Sequence, residues 1–482
     1  MSQTVLESRN PARPDEVVFR GEIDGAAVGR AVAAARRALP HWSALSLDQR
    51  RPFLEKWREA ALARGEELAR LITREMGKTL AESRLEAKSV AEKVSITLED
   101  GVLARTRDFA LDLGPGKTGR CVFRPHGVMA VIGPFNFPAH LPNGHIIPAL
   151  AMGNSVVFKP SEKTPAVGAL LAAIARDAGL PDGVFSVVQG GGATAAQLVS
   201  HDGIDGVLFT GSWPVGRSIT QANLERPGRM LALEMGGMSA AIICEDAHLK
   251  QAVLECVRSA FATTGQRCTC TRRVIVHRSV APRVIRAIGT MASTLLAGDG
   301  DSTDPVFMGP LVSEEARERV LRTQAALAKA GAQILVPAMK LDRPGFFLTA
   351  GVVQVERFQS GPQEEAEVFG PLLQVAVADD DDDALEQANA TQFGLAASVF
   401  TSSEAKFRRM AQCLRAGCVN WNTGTAGASS RLPFGGVGRS GNHRPAAAFA
   451  ADYCAYPVAQ MEVQDDSAAV PPGAKFDDRW LG

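Results

Sequence analysis

The chain has 482 residues, 46% of them hydrophobic and 22% charged, the composition of a globular protein long enough for about two or three structural units. Lysine plus arginine and aspartate plus glutamate both number 52, so the net charge is zero, and neither a basic tract nor a groove-reading motif points to nucleic acid. Eight scattered cysteines give no disulfide framework and no zinc-site spacing, and neither a secretory leader nor a bilayer-length apolar run is apparent, so a reducing cytoplasm without a metal centre is expected.

Residues 1–20 are mostly polar, are interrupted by Pro11 and Pro14, and read as an arm over the surface. Apolar residues fall at helical spacing over 25–39, and the helical pattern continues from 48 to about 103, with Glu and Arg interleaved along 55–84. That charge density reads as a solvated face without chemistry, on helices that cover one side of a sheet. Residues 107–125 change character, with Gly114, Gly116 and Gly119 around short apolar pieces, and fit a hairpin or β-arm. Strands are then expected at 128–132, 155–158, 184–188 and 207–210, alternating with helices at 166–178, from 193, and near 215–223. This alternation indicates a parallel sheet covered on both faces, with ligands beyond the carboxyl ends of its strands. A second α/β region begins near Met235, with a strand at 240–243, a helix at 249–262, a strand at 273–276, and further elements to about Asn422. The aspartates at 379–383 suit a helix N-terminus and lack the glycine turn and distal glutamate of a calcium loop. Residues 453–458 are β-prone, and the Pro/Asp tail beyond reads as mobile.

Cys268 stands in Gly265-Gln266-Arg267-Cys268, past a glycine and beside an arginine. A free thiol has a pKa of about 8.5, and a nearby cation or the N–H groups of a glycine turn would raise its thiolate fraction. The alternative is a small buried hydrophobe. Other stretches bear on the choice. Asn136, between Phe135 and Phe137 directly after a strand, caps a turn or donates to a developing oxyanion. Lys159 and Glu162 at the end of the next strand form a surface pair or hold a ribose, the carboxylate then favouring NAD over NADP. Gly211, Ser212, Val215 and Gly216, between strand and helix, are a plain connection or let a pyrophosphate approach the helix N-terminus, although GxGxxG is absent. Glu234, ahead of Gly236 and Gly237, is a capping or surface residue or a partly desolvated general base. Glu367 and Phe369, two apart in an extended run, make an ordinary strand edge or hold a ribose and a flat ring.

Taken in order, FNFP at 135–138, FKPSE at 158–162, LEMGG at 233–237, GQRC at 265–268 and EVFGP at 367–371 resemble the aldehyde dehydrogenase superfamily, and the resemblance covers nearly the whole chain. Longer strings are similar to one branch, which acts on a semialdehyde of bacterial arginine breakdown. They are PHGVMAVIGPFNFPAHLPNGHIIPAL at 125–150, GQRCTCTRR at 265–273, CVNWN at 418–422, PFGGVGRSGNHRP at 433–445 and ADYCAYP at 451–457.

The resemblance implies an α/β fold with a Rossmann-like NAD-binding domain (1–106 and 126–234) and an α/β catalytic domain (235–445). It also implies a small β oligomerisation arm (107–125 and 446–465), a tail at 466–482, and a homodimer or homotetramer. It makes Cys268 the nucleophile, Asn136 an oxyanion donor with the Cys268 N–H, and Glu234 the base that activates water. Lys159, Glu162, Gly211, Ser212, Val215, Gly216, Glu367 and Phe369 would hold NAD. The implied substrate carries more than one carboxylate, and Arg124, Arg431, His443 and Arg444 are candidates to meet it. Another aldehyde such as succinate semialdehyde, or a silent binding protein of the same fold, are the competing readings. Some positions depart from the family pattern: Met238-Ser239-Ala240 replaces an asparagine-bearing string, Trp213-Pro214 lies inside the phosphate turn and removes an N–H, and Arg431 stands where small residues are usual.

Overall fold

In the computed structural model, which describes residues 5–359, 367–464 and 468–482, the alternation after residue 125 becomes a five-stranded parallel sheet. Its spatial order is Phe185–Val187, Ser155–Lys159, Val128–Ile132, Gly206–Thr210, Met230–Glu234. Side chains along Val128–Ile132 point alternately to the two faces and all are buried. Met129 and Val131 meet Trp57, Leu68, Ile72 and Val90 on one face, while Val128 and Ala130 meet Val28, Val32 and Leu198 on the other. The chain leaves Val128–Ile132 toward one edge and later returns to its other side, which makes a crevice at the carboxyl ends of the central strands.

The second sheet has seven strands, in the order Gln333–Val336, Gly351–Gln354, Leu372–Ala378, Arg273–His277, Ala240–Ile243, Ala396–Phe400, Cys418–Trp421. Only Gln333–Val336, at its edge, runs antiparallel to its neighbour. Helix Asp381–Asn389 follows the aspartate run, with Asp380 as its N-cap accepting from the N–H groups of Asp382 and Asp383. Phe109–Asp112, Lys117–Pro125 and Ala455–Val463 form a separate antiparallel ribbon on which Phe109, Leu111, Met461 and Val463 are exposed.

Two expectations need correction. The N-terminal stretch is a hairpin, Val5–Asn10 against Arg13–Glu22, rather than an arm. Leu6, Ser8 and Asn10 alternate inward, and the Ser8 hydroxyl donates to the buried Glu75 carboxylate at 2.5 Å. Glu75 also accepts from the N–H groups of Ala166 and Val167 at the start of helix Pro165–Asp177, so the hairpin closes over a helix terminus. The helical stretch from 48 to 103 is broken at Arg64, at Gly77 (φ +91°) and at Leu98 into Leu47–Ala63, Gly65–Met76, Leu80–Thr97 and a short turn. Its charged face is not all solvated: Glu75, Lys78 and Glu86 are buried.

Candidate active site

The topology brings the separate motifs to one crevice. Lys159 and Glu234 end their strands in the five-stranded sheet, and Gly133 and Gly211 directly follow the strands beside them. From the seven-stranded sheet come the segments that lead into its strands: Cys268 ahead of Arg273–His277, and Glu367 with Phe369 ahead of Leu372–Ala378. Residues 235–239 join the carboxyl end of one sheet to the amino end of the other.

The cysteine sits on a strained turn. Helix Leu249–Phe261 runs into Ala262–Gly265, where Thr263 (φ 54°), Thr264 (φ 57°) and Gly265 (φ 70°) are all left-handed. A threonine there costs of order 1–3 kcal/mol, so its surroundings must impose it. Glu82 does so by accepting from the Thr263 N–H and hydroxyl, each at 2.8 Å. The Thr264 hydroxyl donates to the Gly309 carbonyl, and Gln266 accepts from the Val312 N–H. At Gly265 a Cβ would fall 2.2 Å from the Gly370 carbonyl oxygen, so only glycine lets the two segments meet. The cation expected to ionise the thiol is engaged elsewhere: the Arg267 guanidinium donates to Glu82 at 2.9 Å and to the Thr263 hydroxyl at 2.7 Å. Burial pushes the Cys268 thiol above its ordinary range, and the nearby Glu367 and Glu234 carboxylates add to this against Arg272. Without a ligand the thiol is therefore held in its protonated form.

Glu367 lies against the double glycine, and the Glu234 carboxylate lies against Gly435. A Cβ on Gly236 would stand 2.0 Å from Glu367 Oε2, and one on Gly237 would stand 2.8 Å from the Cys268 carbonyl oxygen. These glycines make room for one carboxylate and for the backbone that carries the thiol. Glu234 accepts from the Ala446 N–H, its Oε2 has no partner, and burial pushes its carboxyl well above the usual range. Glu367 is raised to about 7 by burial, although Arg272 (3.2 Å) and the Gly237 N–H both donate to it. Phe369 beneath Arg272 packs edge-on against Phe135, with ring centroids 5.8 Å apart.

Asn136 is buried in the segment that fills the space between these loops. Phe135 holds one side of it on Phe369; Phe137 holds the other, with the Lys78 ammonium 3.7 Å and the Arg267 guanidinium 5.2 Å from its ring centre. Lys78 and Glu86 form a fully buried ion pair at 2.5 Å, and Glu86 also accepts from the N–H groups of Ala139 and His140. Removing one partner of such a pair leaves an uncompensated charge. Glu86→Gln is expected to cost about 3–5 kcal/mol, read as a lower thermal midpoint, and to loosen the Asn136 segment.

A nucleotide site is present in outline. The Lys159 ammonium is buried, and its only carboxylate among the described residues, Glu162 at 3.5 Å, is half-exposed. Helix Trp213–Ala222 begins at Ser212 without a side-chain cap, and Val215 in its first turn is 46% exposed. An uncapped helix N-terminus and an under-compensated ammonium at the carboxyl ends of one parallel sheet suit a diphosphate and sugar hydroxyls. The glycines there also have a packing role: a Cβ at Gly211 would hit the Phe209 ring at 2.5 Å, and one at Gly216 the Met235 sulfur at 2.3 Å.

Several site residues escaped the sequence reading. Glu82 and Lys78 stood in what looked like a solvated charge run. Arg272 was not singled out. His145 bridges the Tyr453 hydroxyl (2.8 Å) and the Thr210 hydroxyl (3.2 Å), tying the C-terminal segment to the crevice; burial lowers it to about 3, so it is neutral. Ser239 is buried with its hydroxyl unpaired, and the Met238 carbonyl accepts from Arg273. Of the substrate-binding candidates, Arg431 is paired with Glu99, and Arg124 lies on the antiparallel ribbon.

The pattern of the aldehyde dehydrogenase family matches residues 1–456. The chain belongs to the aldehyde dehydrogenase family. It is 42% identical over 477 residues to N-succinylglutamate 5-semialdehyde dehydrogenase of Novosphingobium aromaticivorans, covering 99% of this chain and 100% of that one. Against N-succinylglutamate 5-semialdehyde dehydrogenase 1 of Caulobacter vibrioides the identity is 43% over 477 residues, covering 98% and 99%. The fold is that of this family. Betaine aldehyde dehydrogenase from Staphylococcus aureus, solved with NAD+, superposes with a TM-score of 0.90 at 27% identity over 98% of this chain and 94% of that one.

Proposed function

We infer that this aldehyde dehydrogenase oxidises N-succinylglutamate 5-semialdehyde to N-succinylglutamate with NAD. The observation that carries the chemistry is that the Glu367 and Glu234 carboxylates both act on the Cys268 thiol, with Glu367 against Gly236 and the Cys268 backbone against Gly237. The substrate reading is supported by full-length relatives of that name at 42–43% identity.

In this reading the Cys268 thiol releases its proton to solvent as its sulfur adds to the aldehyde carbon, the carbonyl π bond breaks, and a thiohemiacetal oxyanion forms. The Asn136 amide and the Cys268 N–H hold its oxyanion. NAD, when bound, would supply the hydride acceptor for that carbon, and the acyl group would stay on Cys268 as a thioester. Glu234 then takes a proton from the water that hydrolyses the thioester. Lys159, Glu162, Glu367, Phe369 and the turn of Gly211, Ser212, Val215 and Gly216 hold the cofactor. We assign residues 1–106 and 126–234 to the NAD-binding domain and 235–445 to the catalytic domain. The exposed apolar side chains on the ribbon at 107–125 and 446–465 support an oligomerisation arm, hence a homodimer or homotetramer. Free thiols throughout suit the cytoplasm.

The test is an NADH assay across N-succinylglutamate semialdehyde, succinate semialdehyde and uncharged aldehydes. The first is expected to have the highest kcat/KM; a preference for any other aldehyde overturns the substrate assignment. Asn136→Ala is expected to lower kcat by about 10²–10³-fold with little change in aldehyde KM, as for loss of one oxyanion donor.

A further inference from the structure

Helix His140–Ala151 is buried along most of its length, yet His140, Leu141 and Gly144 keep partial exposure. His140 and Gly144 are four residues apart and share one side of the helix. That side looks toward helix Leu80–Thr97 and its buried Lys93. A Cβ on Gly144 would find only the Lys93 Cε, at 4.0 Å. Glycine here leaves room in front of a lysine rather than relieving a clash.

Lys93 differs from the cations around it. Lys78 is paired with Glu86, and Arg267 with Glu82. The Lys93 ammonium donates to the Ala447 carbonyl at 2.7 Å, and its other N–H groups have no acceptor among the described residues. His140 lies in the field of both Lys93 and Lys78, and its Nδ1 is buried without a partner. Burial lowers Lys93 to about 8, as befits an ammonium without a counter-ion. Such a cation is costly to keep in a protein interior unless an anion comes to it. The Phe137 ring, 5.2 Å from the Arg267 guanidinium, precedes this helix directly, and the Phe137 carbonyl accepts from the Leu141 N–H, so the open first turn adjoins the Asn136 segment.

We propose that Lys93, with His140 beside it and Gly144 leaving the space, binds a carboxylate of the acidic semialdehyde and selects it over uncharged aldehydes. This rests on the substrate reading above. It takes the place of the exposed arginines as the source of acid recognition, because Lys93 is a buried ammonium beside this helix whose acceptor among the described residues is a carbonyl and not a carboxylate.

The readout is the ratio of kcat/KM for N-succinylglutamate semialdehyde to that for an uncharged aliphatic aldehyde. In Lys93→Met the ratio is expected to fall roughly 10–100-fold, the worth of a charge-assisted contact, through the KM of the acidic substrate. Ala446, next to the Lys93 acceptor, donates to Glu234, so a purely structural lysine would lower both kcat values together. An unchanged ratio, or an equal loss on both aldehydes, overturns the proposal. Gly144→Leu fills the space without touching the catalytic groups and keeps the test open if Lys93→Met fails to fold. It is expected to lower the same ratio at an unaltered thermal midpoint, and an unchanged ratio overturns the proposal. A parent enzyme without preference for the acidic aldehyde removes the substrate reading itself, and is told apart because it needs no variant.

Discussion

Cys268→Ala is expected to abolish NADH formation, by about 10⁴-fold or more, while the thermal midpoint moves little. No other thiol can take over. Cys270 is buried two residues on, with its sulfur against the Ala262 carbonyl, and Cys418, although within the field of Glu234, has its sulfur engaged by the Gly435 N–H. Cys268→Ser should be almost as inactive, because a hydroxyl is far less acidic and less nucleophilic than a thiol, and the Glu367 and Glu234 charges oppose its ionisation. The surroundings of the thiol add a second expectation. Burial and two carboxylates raise it above its ordinary range, and Arg267 is committed to Glu82. Alkylation of Cys268 by iodoacetamide in the ligand-free protein should therefore be slow at pH 7 and still climbing at pH 9, measured on the peptide that carries it. Exposed Cys413 serves as the internal comparison. Retained oxidation in Cys268→Ala would remove the nucleophile assignment; fast labelling at pH 7 would mean the turn ionises the thiol unaided.

What the sequence made legible follows from which forces are local. The strands at 128–132, 206–210 and 240–243 are short apolar runs bounded by glycine or polar residues, and their period is enough to place them. The motifs at strand ends were legible for the same reason, since a parallel sheet sends its carboxyl ends to one crevice. The supports of the site were not. Glu82 and Lys78 have the spacing of an exposed helix face, and only the fold brings Thr263, 181 residues away from Glu82, onto that carboxylate. Arg267 was read as a neighbour of the thiol because it adjoins it in sequence, but the left-handed turn directs it away. Gly211 and Gly216 have the spacing of a phosphate turn, and the contacts with Phe209 and Met235 that also require glycine there exist only in the fold. The N-terminal hairpin was missed because its inward residues, Ser8 and Asn10, are polar and satisfied by partners far along the chain or across a turn. Lys93 carries no local mark at all; its isolation from carboxylates exists only in three dimensions.

Glu234→Gln is expected to give a burst of NADH close to one per active site, followed by turnover about 10²–10⁴-fold below the parent, the range of a lost general base. The reason is the order of steps. Addition of sulfur and departure of hydride need no base on the far side of the carbonyl carbon, whereas attack of water on the thioester does. Glutamine keeps the shape and the contact with the Ala446 N–H, so the burst should survive. The same substitution should change stability with pH. An unfolded chain ionises this carboxyl near 4.5, and burial raises it well above that in the folded state. Between the two values the native protein binds the extra proton, so stability falls as pH rises through that window. Glutamine has no charge to bury, and its thermal midpoint should exceed the parent's at pH 8 while the two converge near pH 4.5. A variant that loses the burst along with turnover would place Glu234 before hydride departure. A variant with unchanged steady-state turnover would pass the role of base to Glu367, which is raised to about 7 and lies on the other side of Gly236.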